Sequence, residues 1–262
     1  MRLAFSMLLL TACAQPVATV QRVDRPLPLR LDVQPVWPSS GAPLQPLDVL
    51  VPHDWTPHVI AIDPGHGYPG NPGATRYDGV SEHEVTLRIG QALAQQLRST
   101  GHHEVVLLRT GAFGPTYPQR VAEIVASGAE LVISVHGDIR LEGSPSEQRG
   151  YSILYSDEHA DRAADAERWA RAVADRMSTA GFSAFNGTYL GQYQRSGGGV
   201  YVDRHRPGRR IYMLRRPKVP TILVETHHLL DPDEVARWDE ERTVSVFAHA
   251  VHGAIIDYFV TR

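Results

Sequence analysis

The sequence predicts an α/β domain built on a twisted, mostly parallel sheet with helices on both faces. Over residues 57–262, short apolar segments alternate with longer amphipathic ones, as expected when strands alternate with helices. The apolar segments have too few polar residues to expose one face to water, which is typical of parallel strands covered on both sides. Ligands of such sheets bind beyond the carboxyl ends of the strands, so we expect the functional site at that edge.

The predicted elements follow one another in a regular order. The first strand, 58–63, ends in a Pro-Gly turn, and the first helix, 82–99, has apolar residues that repeat every four positions. The helix 159–180 carries a seam of small and apolar residues and an outward Glu167–Arg171 pair at i, i+4. The other predicted strands are 104–109, 130–136, 151–155, 211–214 and 221–225, and the other helices are 116–127 and 243–259.

The composition excludes several classes of protein. The 262 residues include 26 Lys and Arg against 29 Asp and Glu, a formal charge of -3, which argues against broad nucleic-acid binding. A hydrophobic content of 42% is typical of a folded domain and not of a disordered chain. The single cysteine excludes a disulfide framework and a Cys-rich zinc module. The 13 histidines are a high number, so metal chemistry deserves consideration.

The first 12 residues resemble a bacterial lipoprotein signal peptide. A short positive start is followed by the apolar run 3–10 and by Leu10-Thr11-Ala12-Cys13, which is similar to the lipobox that signal peptidase cuts before its cysteine. The apolar run is too short to span a bilayer. Because Cys13 is the only cysteine, we expect it to carry the lipid, and Ala14 favours the outer membrane by analogy with Gram-negative lipoproteins. The alternative is an ordinary signal peptide with a chance cysteine.

Residues 13–56 are predicted to be a proline-rich tether. Nine of the chain's 19 prolines lie between Pro16 and Pro57, and this segment shows no helical period. Proline fixes φ and removes a hydrogen-bond donor, so the segment should be extended. A single folded domain, 57–262, follows it.

Three predicted strands end in residues that can bind a metal. The first strand runs into Asp63-Pro64-Gly65-His66-Gly67, the strand 130–136 ends in His136, and the strand 221–225 ends in Glu225. Glu82 begins the first helix on the same edge of the sheet. Two imidazoles with carboxylates at one edge are typical of a catalytic zinc site, which uses three protein ligands and leaves a position for water. A lone histidine at a strand end is usually structural, but four such residues at one edge predict a metal site.

The segments around these residues carry a family resemblance. They are Ile62-Asp63-Pro64-Gly65-His66-Gly67 with Pro72-Gly73-Ala74, Glu82 at the start of a helix, Ile133-Ser134-Val135-His136, and Val219-Pro220-Thr221-Ile222-Leu223-Val224-Glu225-Thr226. In this order they resemble the motifs of the zinc-dependent N-acetylmuramoyl-L-alanine amidases, the amidase 3 family. The resemblance covers about residues 57 to 260.

The resemblance implies both a site and an activity. His66, Glu82 and His136 would bind Zn²⁺, and Glu225 would act as acid and base. The family cleaves the amide bond between N-acetylmuramic acid and L-alanine of the peptidoglycan stem peptide. This chain would therefore be a peptidoglycan hydrolase, with residues 57–262 as its zinc amidase catalytic domain. Zinc lowers the pKa of bound water to roughly 7 and polarises the carbonyl, whereas a carboxylate must move the proton. Peptidoglycan and, through Cys13, a membrane are the expected partners, at the periplasmic face of the outer membrane.

Several residues leave their roles open. Asp63 either orients a ligand histidine or caps the turn after the strand. His227-His228 replaces the usual Gly-Phe of the family, and these histidines bind substrate, bind a second metal or are ordinary loop residues. Gly137-Asp138 replaces the usual Ala-Asn and is expected to alter substrate contacts. His249 and His252 are expected at the surface of the last helix.

The segment 187–210 is rich in Gly and Arg and has no apolar helical period, and within it we expect residues 196–199 and 204–210 to form a mobile basic loop. Some family members carry a helical plug over the zinc after the strand 151–155, and we expect none here. Arg204 to Arg210 either contacts carboxylates of the stem peptide or forms a solvated loop. Two other functions stay open: a zinc amide hydrolase for another acyl-amino acid or peptide, and a wall-binding lipoprotein with a dead site.

Overall fold

A seven-stranded sheet forms the centre of the fold and confirms the predicted α/β class. The structure is a computed structural model that describes residues 43–140, 145–189 and 192–261. The strands are β1 (His58–Pro64), β2 (His103–Leu107), β3 (Leu131–Asp138), β4 (Ser152–Tyr155), β5 (Tyr193–Gly197), β6 (Val200–Asp203) and β7 (Thr221–His228). The helices are α1 (Glu82–Ser99), α2 (Tyr117–Ala126), α3 (Ala163–Thr179), α4 (Tyr212–Arg215), α5 (Pro232–Asp239) and α6 (Glu241–Val260), with a 3₁₀ turn at Pro145–Gln148.

The sheet is mostly parallel, as predicted, and has the order β2-β1-β3-β7-β4-β6-β5. The first four strands in this order are parallel to one another. β4 is antiparallel to β7 and parallel to β6, and β5 is antiparallel to β6. The carboxyl ends of β1, β3 and β7 therefore meet at one edge, marked by Pro64, Asp138 and His228. We call it the upper edge and the opposite one the lower edge.

Helices cover both faces of the sheet because successive strand residues alternate between the faces. Ile60 and Ile62 contribute to the larger core cluster, which contains residues of α1, α3 and α6. Ala61 and Val132 contribute to a cluster on the other face with residues of α2 and α4. In the described part of the chain, α6 alone is long and apolar enough to cross a membrane, but most of that helix is buried. Its packing against α1 and α3 is that of a core helix.

Three segments differ from the sequence prediction. Residues 211–214 are not a strand, because the short helix α4 occupies Tyr212–Arg215. The β5–β6 hairpin within 187–210 was not predicted; it turns at glycines with positive φ at positions 197–199, and residues 204–210 contain no helix or strand. The helix α5 was not predicted. Its first turn is capped by the Asp231 carboxylate, which accepts from the N–H groups of Asp233 and Glu234.

The end of the predicted tether segment packs on the domain. Residues 43–57 contain no helix or strand. Leu44 is buried, and the N–H of Gln45 donates to the carbonyl of Ala180 at 3.0 Å. At the lower edge, Trp55 Nε1 donates to the carbonyl of His102 at 2.8 Å. Cys13 and the rest of the first 42 residues lie outside the described part of the chain, so the lipid anchor stays a prediction.

Buried histidines gather at the lower edge. His103 Nε2 lies 2.8 Å from His252 Nδ1, and the ring of His102 stacks on that of His252 with centroids 5.4 Å apart. His252 is only 5% exposed, so its expected surface position is wrong; the side chain faces the sheet and not solvent. His249 is half-buried, and its Nδ1 bonds to the carbonyl of Ser245. Burial lowers the pKa of His103 to about 3 and that of His252 to about 4.

We predict that the domain loses stability as the pH falls from 6.5 towards 4. Unfolded imidazoles titrate near 6.5, whereas His103 and His252 stay neutral in the folded state to about pH 3 and 4. The unfolded chain therefore binds more protons in this window, and protonation favours unfolding. At pH 5 each imidazole should lower the free energy of unfolding by about 2 kcal/mol relative to pH 8.

Denaturant titrations at the two pH values measure this difference. Replacing both residues, as His103→Leu with His252→Leu, should remove about 4 kcal/mol of it. The control is His53→Gln, since His53 is exposed and its replacement should leave the difference unchanged. Equal wild-type stability at pH 5 and pH 8 would contradict the prediction.

Candidate metal and catalytic site

The turn after β1 carries His66 in an unusual backbone conformation. Its φ of 60° lies in the left-handed region, which is uncommon for residues other than glycine. Arg120 supports the turn from α2: Nη1 donates to Asp63 Oδ1 at 2.7 Å and to the carbonyl of Pro64 at 2.9 Å, and Nη2 donates to the carbonyl of His66. Arg109 donates to two carbonyls of the same turn. Both arginines are buried, so two guanidinium groups inside the protein hold the carbonyls of this turn in place.

Three side chains converge at the upper edge. His66 Nε2 and His136 Nδ1 lie 3.1 and 3.0 Å from the same oxygen of Glu82, Oε1. One ligand atom from each residue lies within 4.8 Å of the other two. Two imidazole nitrogens and a carboxylate form a donor set that suits zinc. No other group of three His, Cys, Asp or Glu has this spacing within residues 43–140, 145–189 and 192–261.

Asn71 orients the ring of His66. Its Oδ1 accepts from His66 Nδ1 at 2.9 Å, which leaves Nε2 facing Glu82. Asp63 has a different role from the orienting one considered above, because its two oxygens bond to Arg120 and, at 2.6 Å, to Ser134 Oγ. The sequence offered no signal for Asn71, which lies on the loop after the motif.

Backbone groups hold the other two members of the cluster. Glu82 accepts at Oε2 from the N–H of Ala74 at 2.8 Å and at Oε1 from the N–H of Gly137 at 3.2 Å. The ring of His136 packs on the backbone of Gly65, where an added Cβ would lie 2.4 Å from the ring. Only glycine allows this approach, so Gly65 belongs to the site although it offers no ligand atom.

The charges of the cluster favour an ionised carboxylate beside a basic imidazole. Burial alone would raise the pKa of Glu82, but hydrogen bonds from His136 and His66 outweigh burial and hold the pKa below its usual range. Burial alone would lower the pKa of His66, and the bond and charge of Glu82 raise it overall. An ionised carboxylate is the form that a cation binds.

Glu225 lies next to this cluster without joining it. On β7 it is the register partner of His136 on β3 and of Ser152 on β4. Its Oε2 is buried and has no hydrogen-bond partner among the described residues. Burial and the negative charges of Asp138 and Glu82 raise the pKa of Glu225 well above its usual value. A carboxylate that is free and strongly proton-binding is suited to proton transfer.

A buried polar network beside Glu225 was not predicted. Arg140 Nε lies 2.7 Å from Asp138 Oδ2. The hydroxyl of Tyr189 donates to the same carboxylate and lies 2.6 Å from Ser152 Oγ. The guanidinium of Arg140 also stacks over the ring of Phe185, at 4.0 Å from its centroid. The charge of Asp138 is therefore compensated. Position 138 was recognised as a departure from the family, but nothing in the sequence linked Arg140 or Tyr189 to it.

His227 and His228 lie outside the three-residue cluster. His227 is buried and stacks on Trp238 with ring centroids 5.4 Å apart, and burial lowers its pKa to about 3. His228 Nε2 lies 3.1 Å from the carbonyl of Arg140, and its Nδ1 accepts from the N–H of Leu230. Both histidines belong to β7 and are not loop residues, and the contacts of their side chains are packing and backbone contacts.

The segment from Arg204 to Arg210 follows the end of β6 at the lower edge. Both arginines form ion pairs with Asp157, which lies just after β4. Between β4 and β5, the described residues contain one helix, α3, which packs on α6. It does not lie over the cluster as a plug would.

The sequence matches the profile of one family, Amidase_3, described as N-acetylmuramoyl-L-alanine amidase, over residues 60–257. The chain belongs to this family. The α/β fold, with His66 and His136 near the carboxyl ends of β1 and β3, is thus a fold of the amidase family. The predicted resemblance is confirmed.

Curated relatives of this amidase-family chain are longer proteins. The probable N-acetylmuramoyl-L-alanine amidase AmiB of Haemophilus influenzae is 27% identical over 232 residues, and the match covers 77% of this chain and 52% of that protein. The N-acetylmuramoyl-L-alanine amidase LytC of Bacillus subtilis is 24% identical over 201 residues, with 77% of this chain and 35% of that protein covered. The chain spans about half the length, or less, of these relatives.

Solved amidase structures share the fold. The N-acetylmuramyl-L-alanine amidase Ami1 of Mycobacterium smegmatis has a TM-score of 0.65 and 22% identity, covering 79% of this chain and 99% of that one. An N-acetylmuramoyl-L-alanine amidase of Clostridium difficile has a TM-score of 0.63 and 21% identity, covering 79% and 98%. The structural similarity covers nearly the whole of each solved chain and about four fifths of this one.

We predict that Gly65→Ala weakens metal binding without unfolding the domain. The new methyl group would overlap the His136 ring and displace it from Glu82. Disturbed ligand orientation typically costs about 10- to 100-fold in metal affinity. Zinc titration with a competing chelator measures the affinity, and thermal unfolding of the metal-free protein checks the fold.

Gly111→Ala is the matched control. A Cβ at Gly111 would meet its nearest atom, the carbonyl oxygen of Phe113, at an ordinary 3.6 Å. Its zinc affinity should equal that of the wild type. The packing argument is wrong if Gly65→Ala binds zinc as tightly as this control.

Proposed function

We propose that this protein is a peptidoglycan hydrolase that cleaves the amide bond between N-acetylmuramic acid and L-alanine of the stem peptide. The observation that carries the proposal is the convergence of His66, Glu82 and His136 next to Glu225, whose buried oxygen is free. Membership of the amidase family supports the substrate class. The complete constellation argues against a wall-binding protein with a dead site.

His66, Glu82 and His136 are the proposed ligands of one Zn²⁺. Two oriented imidazoles and an ionised carboxylate fit this ion and leave a position for water. Zinc bound there would supply a water that is nucleophilic near neutral pH and would polarise the scissile carbonyl. Asn71 supports this assignment because it presents the Nε2 lone pair of His66 to the cluster.

Glu225 is the proposed acid and base. Its free carboxylate would accept the proton of the attacking water and return it to the leaving amine of L-alanine. The raised pKa of Glu225 favours its protonated form, which is the form that returns the proton to the leaving amine. Asp138 is a poorer candidate for this role, since Arg140 and Tyr189 already occupy it.

The site of action is proposed to be the cell envelope. Peptidoglycan is located there, and the segment that ends at Cys13 resembles a lipoprotein signal. A lipid at Cys13 would hold the domain at the periplasmic face of the outer membrane, within reach of the wall.

We predict that Glu225→Gln abolishes turnover but keeps the metal. The amide has nearly the same shape and cannot take a proton, and general acid–base catalysis is typically worth about 10²- to 10⁴-fold. Zinc content should stay near one per chain. Elemental analysis measures the zinc, and mass spectrometry of digested sacculi should find free stem peptides that begin in L-alanine for the wild type only.

Glu82→Gln is the companion variant. It should lose zinc as well as activity, because the amide is a weaker ligand than the carboxylate. The assignment of roles fails if Glu225→Gln loses its zinc or keeps more than about a tenth of the wild-type rate, given the size of the acid–base contribution. A wild type that hydrolyses only small acyl-amino acids would support a different amide substrate.

We predict that Cys13 is acylated in the cell. A palmitate analogue supplied to growing cells should label the wild type and not Cys13→Ser, since no other cysteine exists to carry the lipid. Fractionation should find the wild type with the outer membrane and the variant released from it. Equal labelling of both proteins would exclude the anchor.

A further inference from the structure

The position of Glu225 gives the proposed substrate a direction across the upper edge. A group that returns a proton to the leaving amine must lie within hydrogen-bond reach of it. Glu225 lies on β7, with β4 on one side and β3 on the other, and the turn of His66 follows β1 beyond β3. If Glu225 protonates the leaving amine, the stem peptide on the amine side would lie over β7 and β4. The acyl side, which carries the glycan, would then lie over β1 and β2.

One exposed aromatic ring lies on that acyl side. Phe113 is on the loop after β2, at the upper edge, and is 73% exposed. The N–H of the next residue, Gly114, donates to the carbonyl of Gly67 at 2.7 Å, which ties this loop to the turn of His66. The ring of Phe113 stacks beside that of His83, with centroids 6.1 Å apart, and His83 adjoins Glu82 in the sequence.

Phe113 is one of the few large hydrophobic side chains that the described part of the fold leaves exposed. Five large hydrophobic side chains are exposed in the described part of the chain: Leu50, Tyr77, Phe113, Val125 and Val260. The two aromatic ones are both on loops at the upper edge, and the N–H of Tyr77 bonds to the carbonyl of Leu229 on the β7 side. A phenyl ring offers a flat apolar surface without hydrogen-bonding groups. The complementary ligand surface is equally flat and apolar, as is the C–H face of a pyranose ring.

We propose that the Phe113 ring packs against a sugar of the glycan strand, on the acyl side of the scissile amide. This inference rests on the proposed function. Phe113 would be a substrate contact that favours muramoyl peptides over peptides that carry the lactyl group without its sugar. It has no part in the proton transfer, so its removal should weaken binding and leave the chemical step unchanged.

Kinetics with two substrates test the proposal. On a soluble glycan-linked stem peptide, Phe113→Ala should raise KM about 3- to 10-fold and leave kcat unchanged, which is the expected loss of one aromatic contact. On a lactoyl-L-alanyl peptide without sugar, the same variant should match the wild type. Phe113→Trp should restore the KM on the glycan substrate. The control is Val125→Ala, which removes a similarly exposed apolar side chain at the other end of α2.

A binding measurement without turnover completes the test. In the zinc-loaded Glu225→Gln background, adding Phe113→Ala should reduce the fraction of protein that sediments with purified sacculi. If the wild type releases no stem peptides, the proposed function fails. If the wild type is active and Phe113→Ala changes neither KM nor sedimentation, the sugar contact is wrong. A rise in KM that is equal on both substrates would place the peptide at Phe113 and overturn the assigned direction.

Discussion

The geometry of the site depends on the buried ion pair between Asp63 and Arg120. Both side chains are inaccessible to solvent, and Nη1 lies 2.7 Å from Oδ1. Removing one partner of such a pair typically costs about 3–5 kcal/mol, because it leaves a charge buried without compensation. Arg120 also bonds to the carbonyl of His66, so the pair holds that residue in its left-handed conformation. The ring that would bind the metal is positioned by a charge interaction beneath the turn.

The antiparallel strand β4 makes the two sides of the upper edge chemically different. The parallel strands β1, β3 and β7 run towards this edge, and His66, His136 and Glu225 lie at or near their carboxyl ends. The third proposed ligand, Glu82, comes from the start of α1. β4 brings its first residue, Ser152, which faces Glu225 across the strand pair and bonds to Tyr189. One side of the site is therefore lined by a compensated polar network, and the other side, over β1 and β2, carries the exposed ring of Phe113. This asymmetry gives the substrate a direction.

Three carboxylates share a small volume and have different partners. Glu82 lies between two imidazoles and is ionised. Asp138 is compensated by the cation of Arg140. Glu225 has neither kind of partner, and its proton affinity is raised by burial and by the other two charges. The three carboxylates therefore differ in proton affinity because their neighbours differ, although the side chains are chemically similar.

The sequence by itself determined the parallel half of the sheet and the four residues at its edge. Apolar runs that end in His66, His136 and Glu225 predict this meeting point because parallel strands align their carboxyl ends. Tertiary structure decided the roles of Asn71 and Tyr189, the burial of His252, and the fold of 187–215 into a hairpin and a short helix. Contacts between segments far apart in the chain place Tyr189 and His252, and the polar edge strand β5 has a pattern like that of a loop. Asn71 is only five residues from His66, but its bond forms within an irregular loop that has no periodic pattern. Local periodicity reports which face of an element is apolar, but not which distant side chain will satisfy its polar groups.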